Sequence, residues 1–456
     1  MDTLIRIAYL ILGLSILVTI HEFGHYITAR MFKTRVEKFY LFFDFLFPLP
    51  NVLNFAIFKK KIGDTEYGLG WFPMGGYVKI AGMIDESMDE EFLNSPPQPW
   101  EFRAKPAWQR LIIMLGGIFM NIVLAIFIYS MLLWANGSQT VPMANAKYGF
   151  VADSLAQSIG LKTGDLVVSY DNTHKLDDAT VPVLKELIFN DAKSIQVVRD
   201  GKELSINIPD YIYPAIIESR GQIEFLKLGF PSDIDSVLPE SPLYGKMQKG
   251  DKIIGIGDMP VSLFAQISQG LKKYKGQTVP VTVMRGADTL SFETKIPEDA
   301  LLKIAAGDVE AYFKPVKTSY NFLTCFPAGL KLSYEILSDY VKQFRIIFSP
   351  RMKGWKQIGG FATISKIYPT HWDWTAFWMS TAFLSIILAF MNLLPIPALD
   401  GGHALFTIYE MVTRRKPSDK FLEGAQLVGM VLVFGLLIFA NGNDLLRWLA
   451  EKFGGH

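Results

Sequence analysis

The run Ile7-Ala8-Tyr9-Leu10-Ile11-Leu12-Gly13-Leu14-Ser15-Ile16-Leu17-Val18-Thr19-Ile20-His21-Glu22-Phe23-Gly24-His25-Tyr26-Ile27-Thr28-Ala29-Arg30 decides how the rest of the chain is read. It is apolar to Ile20, then sets two imidazoles and a carboxylate into the same segment. At about 1.5 Å per helical residue, residues 7–32 cross a hydrocarbon layer of about 30 Å with some tilt. Only Arg6 flanks the run as a basic residue, and no small-x-small site follows, so a retained helix is expected rather than a cleaved leader. His21 and His25, at i and i+4, share one helical face and can reach a single metal ion. Glu22 sits beside that face without needing to ligate, as a general base for water would. Such groups cost several kcal/mol in lipid unless they serve one another or a cation, so the cluster reads as a site. The bland alternative is a His pair near the headgroups with no metal.

Outward from this helix, three more stretches are long enough, or nearly so, to span: residues 111–135, without a charge, then 374–394 and the shorter 425–440. Half of the 456 residues are hydrophobic and 20% are charged, which excludes a disordered chain. A net charge of +1 gives no general pull toward nucleic acid, and no such partner is expected. The lone cysteine, Cys325, excludes an intrachain disulfide and every Cys-based zinc module, leaving His, Asp or Glu to hold a metal.

Tetrahedral zinc in a hydrolytic site needs a third protein ligand and an open position. No His follows His25 at short range, which points to Asp400 in Asn392-Leu-Leu-Pro395-Ile-Pro397-Ala-Leu-Asp400-Gly401-Gly402-His403. The prolines end the third helix and leave the acidic side chain on irregular backbone at membrane depth, tolerated only where it is buried in protein or lines a cavity. Alternatively, Asp400 caps a helix starting near Gly401. His403 is left as a supporting or structural group. Asn392 suits holding an extended substrate backbone, or simply capping the third helix. Asn121, four residues after Gly117 in the second span, suits donation to a substrate or an oxyanion; Gly117 equally suits a packing notch.

Residues 140–300 turn to Gly, Asp, Lys, Val and Ile in short alternating runs, expected to be soluble and β-rich. Gly164-Asp165-Leu-Val-Val recurs as Gly250-Asp251-Lys-Ile-Ile, and Asp165 to Asp251 is the same spacing as Arg199 to Arg285. A tandem duplication is expected, each copy resembling a PDZ domain, with Leu228-Gly229-Phe230 similar to a carboxylate-binding loop and Tyr148-Gly149-Phe150 a weaker version. Residues 316–348 read as an amphipathic helix on a membrane or domain surface, kinked or broken by Pro327. Residues 55–82 read as short strands around the turn Gly63-Asp64 that suit strand addition of an unwound substrate, with Gly76, Tyr77 and Val78 as candidate substrate-binding residues, or else as an ordinary cytoplasmic hairpin. Basic residues after the first and third spans place those loops in the cytoplasm and residues 136–372 outside.

Together HExxH, NxxPxPxLDGG, tandem PDZ-like copies and Phe72-Pro-Met-Gly-Gly-Tyr-Val78 resemble the site-2 protease family, most closely its bacterial RseP type with two PDZ domains. The resemblance covers essentially the whole chain. One departure is Ile118 where the family often has proline. The resemblance implies His21, His25 and Asp400 as ligands of Zn2+, Glu22 as catalytic base, and a β-hairpin region dipping toward the zinc from the cytoplasmic side. It implies a multi-pass protein of the bacterial inner membrane, with periplasmic PDZ domains. It also implies cleavage of single-span membrane proteins, such as anti-sigma factors and remnant signal peptides, after an earlier ectodomain cut, and envelope stress signalling.

The expected architecture is therefore a membrane α-helical protein with four transmembrane helices, a membrane-associated β-hairpin region and two tandem PDZ-like α+β domains. The boundaries are 1–35, 36–110, 111–136, 137–212 and 213–300 for the two PDZ-like domains, 301–371 for the amphipathic linker, 372–424 and 425–456. The PDZ-like pair suits either docking of a C-terminal peptide or filtering substrates by ectodomain size. Competing readings are a membrane-anchored zincin for quality control, which lacks a third ligand downstream on a soluble helix, and a non-enzymatic PDZ scaffold, for which Glu22 would serve no purpose.

Overall fold

The computed structural model describes residues 2–46, 53–73, 75–83, 96–218, 225–350, 352, 354 and 358–453. The chain divides into two units, one of Met1–Gly137, Ser319–Val341 and Ile358–His456, the other of Ser138–Thr318 with Lys342–Gln357.

The first unit holds α1 (Asp2–Met31), β1 (Val36–Leu41), β2 (Ala56–Ile62), β3 (Thr65–Gly70), β4 (Tyr77–Ile80) and α2 (Ala107–Asn136). These are followed by most of α3 (Cys325–Ile347), then α4 (Trp374–Leu393), α5 (Asp400–Thr413) and α6 (Asp419–Phe453). Among the described residues, four helices are long and apolar enough to cross a membrane, over Thr3–Met31, Ala107–Asn136, Trp374–Leu393 and Lys420–Ala450. With the family described below, they make this an integral membrane protein. The fourth stretch, read as 425–440, is the middle of a much longer helix.

α1 and α2 cross at glycines. A Cβ on Gly24 would lie 2.2 Å from the Gly116 carbonyl oxygen, and one on Gly116 would lie 2.6 Å from the Gly24 carbonyl oxygen. Without side chains there, the backbones approach as small residues allow in lipid, where dispersion drives helix association. α2 packs against α1, α4 and α5. Its buried Arg110 reaches Glu410 of α5 at 2.5 Å, so the helix that begins at Asp400 is tied to the start of α2. Removing one partner of such a buried pair costs about 3–5 kcal/mol.

The four strands form one sheet in the order β2-β3-β1-β4. β2 and β3 are antiparallel, β1 and β3 parallel, and β1 and β4 antiparallel. β4 is therefore an edge. Pro327 lies in the first turn of α3, where its missing N–H would have no partner anyway, so it starts the helix instead of kinking it. The face of α3 that packs carries Cys325, Gly329 and Ser333, whereas Leu330 and Tyr334 from the expected apolar stripe are exposed.

The second unit holds two four-stranded sheets with the same internal order. In one, Lys202–Asn207, Ser194–Arg199, Leu166–Tyr170 and His174–Lys175 lie side by side; in the other, Asp288–Lys295, Thr278–Arg285, Lys252–Ile256 and Met259–Pro260 do so. Each sheet carries a matched clasp. Arg199 donates to both oxygens of Asp165 at 2.7 Å and to the Gly160 carbonyl, and Arg285 does the same with Asp251 at 2.8 Å and the Lys246 carbonyl. The Arg285 guanidinium holds the Asp251 carboxyl below its ordinary range.

The two apolar cores do not end at the boundaries read from composition. The first takes in Ile212, Tyr213, Ile216, Phe225 and Leu226, past the expected limit at 212. The second begins at Ile234 and reaches Leu302, with Ile234–Val237 paired to Ile304–Ala306, past the expected limit at 300. Strand pairing between residues distant in sequence sets these limits, and a local composition shift does not reveal it. The strand Leu226–Leu228 pairs with Phe150–Ala152, and Gly229 donates its backbone N–H to the Gly149 carbonyl at 2.8 Å. That N–H is committed, so the loop read as a carboxylate binder does not present it to a peptide.

Candidate metal centre

α1 places His21 and His25 one turn apart, both over nine-tenths buried, with Nε2 atoms 3.3 Å from each other. The α4–α5 turn brings Asp400 Oδ2 to 3.1 Å from His21 Nε2 and 3.3 Å from His25 Nε2. Two glycines permit this turn to be so tight, since a Cβ on Gly401 would fall 2.3 Å from the Leu393 carbonyl and one on Gly402 would fall 2.3 Å from the Ile396 carbonyl. Leu399 occupies the N-cap of α5, so Asp400 turns toward the histidines instead of capping.

These three atoms lie close enough together that they could hold one metal ion. Asp400 Oδ2 is buried and has no hydrogen-bond partner, although both imidazole nitrogens lie close by. The approach of this oxygen to both imidazole nitrogens without hydrogen-bond alignment is what lone pairs give when aimed at a common centre. Four-coordinate zinc with ligands at about 2.0–2.2 Å holds them about 3.3–3.5 Å apart, and the observed 3.1–3.3 Å is already near that spacing. His25 Nδ1 donates to the Ile113 carbonyl at 2.9 Å, which leaves its Nε2 with a free lone pair. The donor set fits zinc.

Gly117 of α2 forms the floor beneath the rings. A Cβ there would lie 2.4 Å from His25 Nε2 and 2.7 Å from His21 Cε1. Asn121, one turn on, is fully buried and its amide lies 3.1 Å from His21 Nδ1. Its Oδ1 has no partner, and its backbone carbonyl accepts from Ser385 of α4. The Asn392 amide lies 3.2 Å from His21 Nε2, at the edge of the ligand set. Glu22, Val78, Ile80, Met114, His403 and Gln426 are among the residues that line a cavity of about 50 Å³ around the three ligand atoms, room for a few waters.

In β4 the alternation of a strand sends Val78 and Ile80 toward this cavity. Tyr77 joins an aromatic cluster with Tyr40 and Phe43 and donates to Asp44. Gly76 lies against α1, where a Cβ would meet Val18 Cγ1 at 2.9 Å. Gln426 of α6 was missed by sequence reasoning. The signal available was an amide inside the apolar run 425–440 of this helix.

Peptidase family M50 matches residues 9–436. The chain belongs to this family, the site-2 proteases, and is a zinc metalloprotease. A Vibrio cholerae serotype O1 protein named "Putative zinc metalloprotease" is 28% identical, over 98% of this chain and 99% of its own length. Metalloprotease MmpA of Caulobacter vibrioides is 25% identical over 99% and 98%. A Clostridium perfringens protein, "Putative zinc metalloprotease CPE1693", is 26% identical over 96% and 98%.

Proposed function

We propose that this metalloprotease is an intramembrane endopeptidase that cuts single-span membrane proteins within the lipid, with His21, His25 and Asp400 holding zinc and Glu22 as the base. The observation that carries the reading is Asp400 Oδ2, buried without a hydrogen bond at 3.1 and 3.3 Å from two imidazole nitrogens of a membrane-length helix. When bound, zinc supplies Lewis acidity, polarising the scissile carbonyl and easing deprotonation of a water. Glu22 takes that proton and returns it to the leaving amide nitrogen. His25 is held in the ligating tautomer by the Ile113 carbonyl. His21 ligates through Nε2 only if Nδ1 carries a proton, and that proton needs an acceptor. Asn121 Nδ2 lies against Nδ1; exchanging the amide's N and O by a half-turn puts the partnerless Oδ1 there and satisfies both groups at once. Asn121 thus positions His21, and Asn392 is left facing an incoming carbonyl.

A substrate helix must unwind before it is cut, and its freed backbone groups need partners where there is no water. The edge strand β4, with Val78 and Ile80 beside the cavity, supports strand addition as the source of those partners. Like sheet orders and matched Asp–Arg clasps support two tandem PDZ-like domains. We read these as a filter on ectodomain size, a role the committed Gly229 N–H favours over peptide capture. Bacterial relatives and the basic loops support residence in the inner membrane with those domains outside; the substrate class we propose is anti-sigma-factor-like proteins or remnant signal peptides.

The test is cleavage of a single-span substrate in detergent by wild type and Glu22→Gln. The variant should retain zinc and lose at least about a hundredfold in rate. Zinc-loaded Glu22→Gln cutting near the wild-type rate would sink the mechanism.

A further inference from the structure

The end of α1 opposite its N-terminus borders a second cavity, of about 490 Å³, lined by Arg30, Lys33, Thr34, Arg35, Asp64 and Trp100. Three cations therefore face one carboxylate, and none of the three makes an ion pair among the described residues. Two buried polar atoms here lack partners. Thr34 is 1% exposed with its hydroxyl unbonded, and Arg35 Nε is buried and unbonded. Such atoms cost about 1–3 kcal/mol each unless something supplies an acceptor. A helix C-terminus ordinarily repels anions, but this one is closed. Backbone N–H groups of Phe32, Lys33 and Thr34 bond the Thr28, Arg30 and Ala29 carbonyls, and Lys105 Nζ donates to the Lys33 carbonyl.

The setting selects the anion. α1 is long and apolar enough to cross a membrane, and Met31, Trp100 and Trp108 near its end are exposed, as aromatic and apolar side chains are where hydrocarbon meets headgroups. We infer that this cavity binds the phosphate of an anionic phospholipid headgroup, with Arg35 and Thr34 donating from its floor and Arg30 and Lys33 from its rim. Asp64 cancels one of three positive charges, and the net positive charge left favours a headgroup of net negative charge over a zwitterionic one, whose ammonium it repels. The inference is independent of the catalytic reading, because none of these residues lines the metal cavity.

The experiment uses the full-length protein in nanodiscs of phosphatidylcholine with 0 or 30% phosphatidylglycerol (about one lipid in three), and in phosphatidylcholine discs with millimolar inorganic phosphate. Thermal unfolding and the anionic lipid retained in native mass spectrometry are read for wild type, Arg35→Gln and the rim variant Lys33→Gln. Wild type should show a higher Tm with phosphatidylglycerol and retain the lipid. Both variants should lose at least half of the Tm increment, and Arg35→Gln should lose the retained lipid. Lys33 is exposed, so its variant reports even where Arg35→Gln folds poorly. An undiminished increment in Lys33→Gln with lipid still retained by Arg35→Gln would overturn the site. An equal increment from inorganic phosphate would overturn the lipid assignment.

Discussion

Gly117→Ala adds a single methyl group to the second span and offers a sharp test of the site, because two effects of opposite sign meet there. In an exposed helix, alanine for glycine is favourable by about 1 kcal/mol through backbone entropy. At Gly117 the new Cβ would lie 2.4 Å from His25 Nε2, whereas ordinary contact begins at 3.4 Å. The ring, the helix or both must therefore yield by about 1 Å, several times the ~0.2 Å tolerance of a metal–ligand distance. Disturbing the support of one ligand typically weakens metal binding 10–100-fold, about 1.4–2.7 kcal/mol, and this displacement acts on a ligand atom itself. Zinc competition against a chelator of known affinity, on purified protein, reads the change directly. Gly435→Ala is the control, since a Cβ there meets nothing within 4 Å and should leave zinc affinity unchanged. Wild-type zinc affinity in Gly117→Ala, with Gly435→Ala behaving alike, would refute the placement of the imidazoles against α2.

Three further expectations concern other parts of the chain. Asn121→Leu should weaken zinc binding about 10–100-fold in the same competition, whereas Asn121→Asp, which keeps an acceptor for His21 Nδ1, should restore most of it; equal loss in both would reduce Asn121 to packing. The Asp251 carboxyl is held low by Arg285, so its contribution to stability is full above the ordinary carboxylate range and is lost as pH falls through the lowered value. Amide-exchange protection over residues 252–285 in the full-length protein should drop on acidification below about pH 4, and Asp251→Asn should be poorly protected already at neutral pH. Excising residues 138–318 should allow cleavage of substrates that still carry a folded ectodomain; no gain for such substrates would remove the filter reading.

The convergence of His21, His25 and Asp400 was legible in the sequence because such groups are expensive in lipid. Imidazoles in an apolar run, and a carboxylate after Pro395 and Pro397, cannot sit in lipid without a reason, so they mark themselves. The four spans were legible for the same reason. What escaped depends on contacts remote in sequence. Gln426 lines the metal cavity only because α6 packs beside it, and the Gly229 N–H is used only because Leu226–Leu228 pairs with Phe150–Ala152. Pro327 was misread because a proline penalty depends on position within a helix, and the position of the first turn was not fixed by periodicity.

The pairing of His21 and His25 with Asp400 has a consequence for biogenesis. The histidines emerge from the ribosome first, and the carboxylate proposed to complete their set follows only some 375 residues after His25. A nascent or truncated chain lacking the α4–α5 turn holds only two of the three groups, too few for a tight hydrolytic site. On the proposed reading, proteolytic competence is thereby postponed until Asp400 has been made, which spares neighbouring membrane proteins from a half-built enzyme.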